Sequence, residues 1–198
     1  MKRRVGIFGG TFNPPHVGHV SAAKAFLEQA ELDDLIIMPA FIPPHKEFDS
    51  LVSCEQRLEM CKIAFSGISG ATVSDLEIAR KGKSYTYLTL EELTSPDTEL
   101  FFLCGTDMIL TMDNWKNPEI IFSLANICYI RRETHAEKTA LIEQKCKDYL
   151  AKYGATVLPI DAEVIEISSS EIRNDFANAL RYLSAEVIDY ITEAGLYR

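Results

Sequence analysis

Gly9-Gly10-Thr11-Phe12-Asn13-Pro14-Pro15-His16-Val17-Gly18-His19 is the stretch on which the reading of this chain turns. It follows a short apolar run, Arg4 to Gly9, that reads as a buried strand. It precedes Val17, Val20, Ala23, Phe26, Leu27 and Ala30, whose spacing is helical. The stretch is therefore a strand-to-helix turn with unusual contents. Two glycines let the backbone approach a ligand closely and present N–H groups to an anion. The proline pair stiffens the turn where a missing N–H costs little. His16 and His19 stand three apart, so they share one side of the first helical turn. The positive end of the helix dipole favours an anion at the same place.

Other readings of the turn are weaker. The glycines do not spell GxGxxG, and GxxxxGK[ST] is absent. Two histidines alone make half a metal site, and no third His, Cys or carboxylate lies near them in sequence.

Outward from this turn the chain alternates. Asp34 to Met38 reads as a second buried strand ended by Pro39, and a loop rich in Pro, Phe and His runs from Ala40 to Ser50. Ser53 and Gln56 form a capping box for a helix reaching about Phe65. Ala71 to Ser74 is β-like, Tyr85 to Leu93 helical, and Leu100 to Cys104 a buried strand stopped by Gly105. Ile127 to Ile130 repeats that pattern before a charged helix from about Ala136 to Tyr153. Val157 to Pro159 and Val164 to Ile167 are β-like, and two helices close the chain, one after Ser168 and one from Ser184 to Ala194.

Short apolar strands separated by helices predict an α/β fold, a Rossmann-like doubly wound parallel sheet with helices on both faces. Residues 1–198 are expected to form one domain, with a small helical region from about Ser168. Ligands of such sheets sit beyond the carboxyl ends of the strands, where strand order reverses. The segments after Gly9, Met38 and Cys104 should therefore converge.

Composition narrows the class. The chain has 198 residues, 47% of them hydrophobic and 25% charged, as ordinary globular proteins do. A net charge of -9 argues against a broad basic face for long nucleic acid, while a small anion remains compatible with a local cluster of donors. Five cysteines without a CxxC pair read as reduced, buried thiols. No apolar run approaches the ~20 residues needed to cross a bilayer, and the amino terminus lacks a signal-peptide core. A cytoplasmic protein without a membrane partner is the expectation.

A second anion-binding segment lies far along the chain. Ile167-Ser168-Ser169-Ser170-Glu171-Ile172-Arg173-Asn174 opens a helix, and Ser168 with Glu171 satisfies a capping box that needs no ligand. Three hydroxyls and a forked cation at a helix start also suit a phosphate.

Together these segments resemble the nucleotidyltransferase superfamily. The first is similar to GGTFDPxHxGH, with Asn13 where Asp is usual; the second is similar to ISSTxxR, with Ser170 for Thr. Pro43-Pro44-His45-Lys46, the S-x-x-x-R-L of Ser53 to Leu58, Ser84 to Leu90, Gly105-Thr106-Asp107 with Trp115-Lys116, and the ending Val187 to Tyr197 resemble the bacterial nicotinate mononucleotide adenylyltransferases. Each stretch also has a plain structural reading, as helix packing, a buried tryptophan, a solvated lysine or, at Arg131 and Arg132, a strand end.

The resemblance implies transfer of the adenylyl group of ATP to nicotinate mononucleotide, giving nicotinate adenine dinucleotide and pyrophosphate. It implies His16, His19, Lys46 and Arg173 as catalytic side chains. ATP would be bound by Gly9, Gly10, Thr11, Phe12, Gly105, Asp107, Ile167, Ser168, Ser169 and Ser170. Lys46, Thr86, Trp115 and Lys116 would hold the acceptor. Magnesium is expected through the ATP phosphates, with no dedicated protein ligands. Rival functions are a non-catalytic nucleotide sensor and a related transferase using the amide mononucleotide or phosphopantetheine. The oligomeric state, a homo-oligomer included, stays open.

Overall fold

The computed structural model describes residues 2–43, 52–131, 136–163 and 165–197. Its six strands are β1 (Arg3–Gly10), β2 (Asp34–Pro39), β3 (Ala71–Val73), β4 (Thr98–Gly105), β5 (Ala125–Arg131) and β6 (Val157–Asp161). They form one sheet in the order β3-β2-β1-β4-β5-β6, and every neighbouring pair is parallel. The chain steps outward from β1 to β3, returns to β4 on the other side of β1, and steps outward again. Strand order therefore reverses between β1 and β4, which puts a crevice at their carboxyl ends.

Helices cover both faces, as the buried strands predict. On one face α1 (Val17–Gln29) and α2 (Cys54–Phe65) enclose Phe8, Phe26, Leu35, Ile37, Phe65, Phe101 and Leu103. On the other, α4 (Thr86–Leu93), α6 (Pro118–Leu124) and α7 (Ala136–Tyr153) pack over Ile7, Met38, Leu100, Phe102 and Ile127. The alternation of β1 and β4 between these two clusters is the period-2 pleat of a strand buried on both sides.

α1 lies close to the sheet because its inward residues are mostly small: Gly18, Ala22 and Ala23 are buried beside Phe26. The approach is tightest at Gly6, where a Cβ would fall 2.3 Å from Leu32 Cδ1 and 2.9 Å from Phe26 Cε1. α2 starts at the capping box read from sequence: the Ser53 hydroxyl accepts from the Gln56 N–H at 3.2 Å, and the Ser53 N–H donates to Gln56 Oε1 at 3.0 Å.

The remaining α-helices are α3 (Leu76–Arg80), α5 (Thr106–Ile109), α8 (Ser169–Asn174), α9 (Phe176–Ala179) and α10 (Ala185–Glu193). α8 to α10 bring Ile172, Ala179, Leu183, Val187 and Ile191 onto Met60 of α2, a third apolar cluster apart from the sheet.

Two differences from the sequence reading have simple causes. The expected strand over Val164 to Ile167 is not one: residues 165–168 have no regular structure, Val164 itself lying outside the described residues. β6 is already the sheet edge, and the Ile167 N–H turns back to the Ile165 carbonyl at 2.9 Å to enter the cap of α8. The helices α3, α5 and α6 were not legible, being at most seven residues long and too brief to show a periodic face.

Candidate active site

At the switch point the loop after β1 is fastened from three sides. The Ala40 N–H donates to the Gly10 carbonyl at 2.9 Å, so the loops after β1 and β2 leave the sheet together. Arg57 of α2 donates from Nη1 to the Thr11 carbonyl at 2.8 Å. From the far end of the chain, Arg173 Nη1 donates to the Asn13 carbonyl at 2.7 Å, and the Ser169 hydroxyl to the Pro14 carbonyl at 2.9 Å. Three carbonyls of one turn are thus drawn toward α2 and α8. No hydrogen bond to a described residue engages the Thr11 or Phe12 N–H groups, and Phe12 has a left-handed φ of 48°. Consecutive N–H groups around a left-handed residue form a concave anion nest.

Phe12 was read as a nucleotide contact. Its side chain is core instead: 2% exposed, it meets Phe8, Phe65 and His19 edge-on at centroid distances of 5.4, 5.7 and 5.0 Å. Only its backbone N–H remains for a ligand. The aromatic side chain is the weight that holds the turn down.

His16 is the residue before α1 and is buried; His19 lies one turn on. Their rings lie in contact, tilted by 38° at a centroid distance of 3.7 Å. The His16 N–H donates to His19 Nδ1 at 3.2 Å. With Nδ1 accepting, a neutral His19 carries its proton on Nε2, which makes that nitrogen a donor. Gly18 explains the H-V-G-H spacing: a Cβ there would stand 3.1 Å from His16 Cε1 and Nδ1. Any side chain at that position pushes on the imidazole.

The capping box of the second segment forms as read, and its three hydroxyls have different partners. Ser168 is the cap: its N–H and hydroxyl donate to Glu171 Oε2 at 2.7 and 2.6 Å, and the Glu171 N–H returns to its Oγ at 3.2 Å. These bonds hold the Glu171 carboxyl below its ordinary pKa. Ser169 binds the first loop, and the Ser170 hydroxyl accepts from Arg173 Nη2 at 3.3 Å.

Asn13, where the resembling motif has Asp, is 1% exposed. Its Oδ1 accepts from the Tyr197 hydroxyl at 2.6 Å and from the Val52 N–H at 3.4 Å. A neutral amide suits a place where burial also raises the Tyr197 pKa far above its ordinary value, keeping the phenol protonated. Sequence reasoning gave Tyr197 no such part. Its signal was the aromatic close to a glycine-punctuated helix end.

The remaining candidates occupy the other side of β1. Gly9 is half-buried, and a Cβ there would stand 3.7 Å from Phe102, whose ring meets Trp115 edge-on at 6.3 Å. Trp115 and Tyr87 are half-buried against the same core cluster, Thr86 opens α4, and Lys116 is exposed. Gly105 ends β4 and leads into Asp107, whose side chain is 91% exposed and pairs with Lys138 of α7 at 3.1 Å. Arg131, read as a strand end, is that: both its Nε and Nη2 bind Asp161 at 2.7 Å. Pro44, His45, Lys46 and Arg132 lie outside the described residues.

A groove of about 540 Å³ runs along the outer side of α1, past Val20, Lys24 and Glu28, to Asp161 and Glu163. It opens beside Pro15 and His16, while Gly9 to Phe12, Thr86, Asp107 and Trp115 do not line it. Among the described residues no group of three or more His, Cys, Asp or Glu is arranged to hold a metal ion, and no helix is long and apolar enough to cross a membrane. The five thiols are free; Cys61, Cys104 and Cys128 are buried.

Comparison with known proteins shows the family and agrees with the fold. Residues 7–175 match the family model described as cytidylyltransferase-like. A Clostridium botulinum protein named "Probable nicotinate-nucleotide adenylyltransferase" is 38% identical over 99% of this chain and 98% of its own length. A Listeria monocytogenes protein of the same name is 34% identical over 100% and 98%. Among solved structures, the Plasmodium falciparum nicotinic acid mononucleotide adenylyltransferase complexed with NaAD superposes with a TM-score of 0.77 at 21% identity, covering 98% of this chain and 97% of that one.

Proposed function

Since the chain belongs to the cytidylyltransferase-like family, and within it to the nicotinate-nucleotide adenylyltransferases, we propose that it transfers the adenylyl group of ATP to nicotinate mononucleotide. The products are nicotinate adenine dinucleotide and pyrophosphate, a step of NAD biosynthesis, carried out by residues 1–198 acting as one unit in the cytoplasm. The observation that carries this reading is the junction of two distant segments at the switch point: Arg173 on Asn13 and Ser169 on Pro14, beside the paired histidines.

The acceptor's phosphate oxygen attacks the α-phosphorus of ATP; a new P–O bond forms as the bond to the β-phosphate's bridging oxygen breaks, and pyrophosphate departs with that electron pair. The protein needs no nucleophile of its own. It works by alignment and by placing donors where negative charge grows. The Thr11 and Phe12 N–H groups and the α1 amino terminus cradle phosphate oxygens, and His19 Nε2 donates to the transferring group with His16 beside it. Arg173, Lys46 and Ser170 take the leaving pyrophosphate. Gly105, Asp107 and the backbone around Ile167 and Ser168 hold the nucleoside, and Thr86, Trp115 and Lys116 hold the nicotinate.

The donor set at the first loop is N–H, imidazole and hydroxyl, which suits phosphate oxygens rather than a hard cation. That fits magnesium arriving on ATP; when bound it neutralises phosphate charge and keeps most of its waters.

Pyrophosphate release with each acceptor in turn tests the reading. Nicotinate mononucleotide should give the highest kcat/KM, with the amide mononucleotide and phosphopantetheine far below. Nucleotide binding without turnover on any acceptor would identify a sensor instead.

A further inference from the structure

Arg57 is 1% exposed, although it carries a permanent charge. Its guanidinium spans the two loops that leave β1 and β2: Nη1 donates to the Thr11 carbonyl at 2.8 Å and Nη2 to the Phe41 carbonyl at 3.2 Å. Phe41 is gripped from its other side as well, since its N–H donates to the Ser84 hydroxyl at 2.9 Å. Ser84 is itself buried, and its own N–H donates to the Ile42 carbonyl at 2.9 Å.

Nothing in this arrangement resembles a stabilising ion pair. Among the described residues Arg57 has no carboxylate within salt-bridge distance, and its buried Nε has no hydrogen-bond partner. Burial lowers its pKa from the ordinary value, as expected of a desolvated cation. A buried charge held only by carbonyls is poor value as a source of stability. What it supplies is geometry. A planar fork bonded to two carbonyls fixes their separation as a single ammonium cannot.

We infer that Arg57 is a positioning residue that sets the spacing between the phosphate-binding turn and the loop after β2, and so the alignment of the phosphates held at that turn. The inference rests on the adenylyl-transfer reading above. Arg57 touches no substrate in this account; it acts through Thr11 and Phe41. In-line displacement is sensitive to such spacing, a misplacement of about 1 Å being able to cost roughly 100-fold in rate.

The test is steady-state kinetics of Arg57→Lys and Arg57→Ala beside the wild-type chain, with pyrophosphate release as readout. Arg57→Lys should lose about 10- to 100-fold in kcat while KM for ATP and for nicotinate mononucleotide each stay within about threefold. Millimolar guanidinium, which can refill the vacated fork site, should restore part of the turnover of Arg57→Ala, and urea at the same concentration should not. Ser84→Ala, which frees Phe41 from the opposite side and leaves Arg57 in place, should show the same fall in kcat with KM held. It serves also if the Arg57 variants do not fold. Wild-type kcat in a folded Arg57→Lys or Ser84→Ala chain, or a loss confined to KM, overturns the inference. Failure of the adenylyl-transfer reading is separate: it appears as no turnover by the wild-type chain in the same assay.

Discussion

Nη1 of Arg173 lies 2.7 Å from the carbonyl oxygen of Asn13, across 160 residues of sequence. The bond joins the start of the last helical region to the first turn of the sheet. It also uses an Arg atom on protein while Nη2 turns to the Ser170 hydroxyl, so the fork is aimed before any ligand arrives. An aimed cation loses less freedom on binding phosphate than a mobile one.

Arg173 should therefore matter to both fold and chemistry. Arg173→Ala is expected to lower kcat/KM for ATP by about 100-fold or more and to cost roughly 1.5–3 kcal/mol of stability through the lost charged hydrogen bond. Arg173→Lys should recover most of the stability and little of the rate, because one ammonium cannot serve Asn13 and a phosphate together. Pyrophosphate release and urea unfolding of the two variants, measured side by side, separate the contributions.

His19 acts on the transferring group in the proposed mechanism, so His19→Ala should cut kcat by about 100- to 1,000-fold with little change in acceptor KM. Gly18→Ala makes a subtler probe. Its methyl would stand 3.1 Å from the His16 ring and displace the imidazole by a few tenths of an ångström. A fall of about tenfold in kcat without loss of folding is the expected result. Near-normal turnover in His19→Ala would remove His19 from the chemistry.

The six strands and the parallel, doubly wound class were legible because each strand is a short apolar run between breakers, and a chain alternating strand and helix has few ways to wind. The switch-point loop was legible because glycines, a proline pair and two histidines rarely gather for packing alone. Other features resisted. That the Phe12 side chain packs in the core, where four aromatic rings meet, could not be read from its place in a ligand-like loop. The grip of Tyr197 on Asn13 joins residues 184 apart, and no local pattern encodes such a pair. Lys138 on Asp107 is an ion pair between the short helix α5 and the distant α7, equally invisible to periodicity.

Thiol reactivity gives an inexpensive check of the core. Burial raises the pKa of all three buried thiols, Cys128 to about 12, and raises those of the half-buried Cys54 and Cys146 too. Thiolate is the reactive form, so a disulfide reagent at pH 8 should label Cys54 and Cys146 slowly and the other three only after unfolding. Titration of the chain before and after adding denaturant should count at most two thiols, then five. Rapid labelling of three or more in the native state would contradict the packing of α2, β4 or β5.

The same burial fixes how stability depends on alkali. Cys61, Cys104, Cys128, Tyr149 and Tyr197 all have folded pKa values raised by desolvation. In the unfolded chain cysteine releases its proton near about 8.5 and tyrosine near about 10. Above those values the unfolded state binds fewer protons than the folded one, so the stability these groups contribute is complete below them and is lost as pH rises toward the folded values. Unfolding free energy from urea titrations should hold to about pH 8 and then fall, each group adding up to about 1.4 kcal/mol per pH unit once its unfolded form has ionised. Tyr197→Phe removes one such group. At pH 7 it should cost about 1 kcal/mol, because Asn13 Oδ1 loses its shorter bond, from the Tyr197 hydroxyl. Between pH 10 and 11 its stability should decline less steeply than that of the wild-type chain, by up to one proton's worth of slope. Parallel curves for the two proteins above pH 10 would mean that the Tyr197 phenol is not held protonated against Asn13.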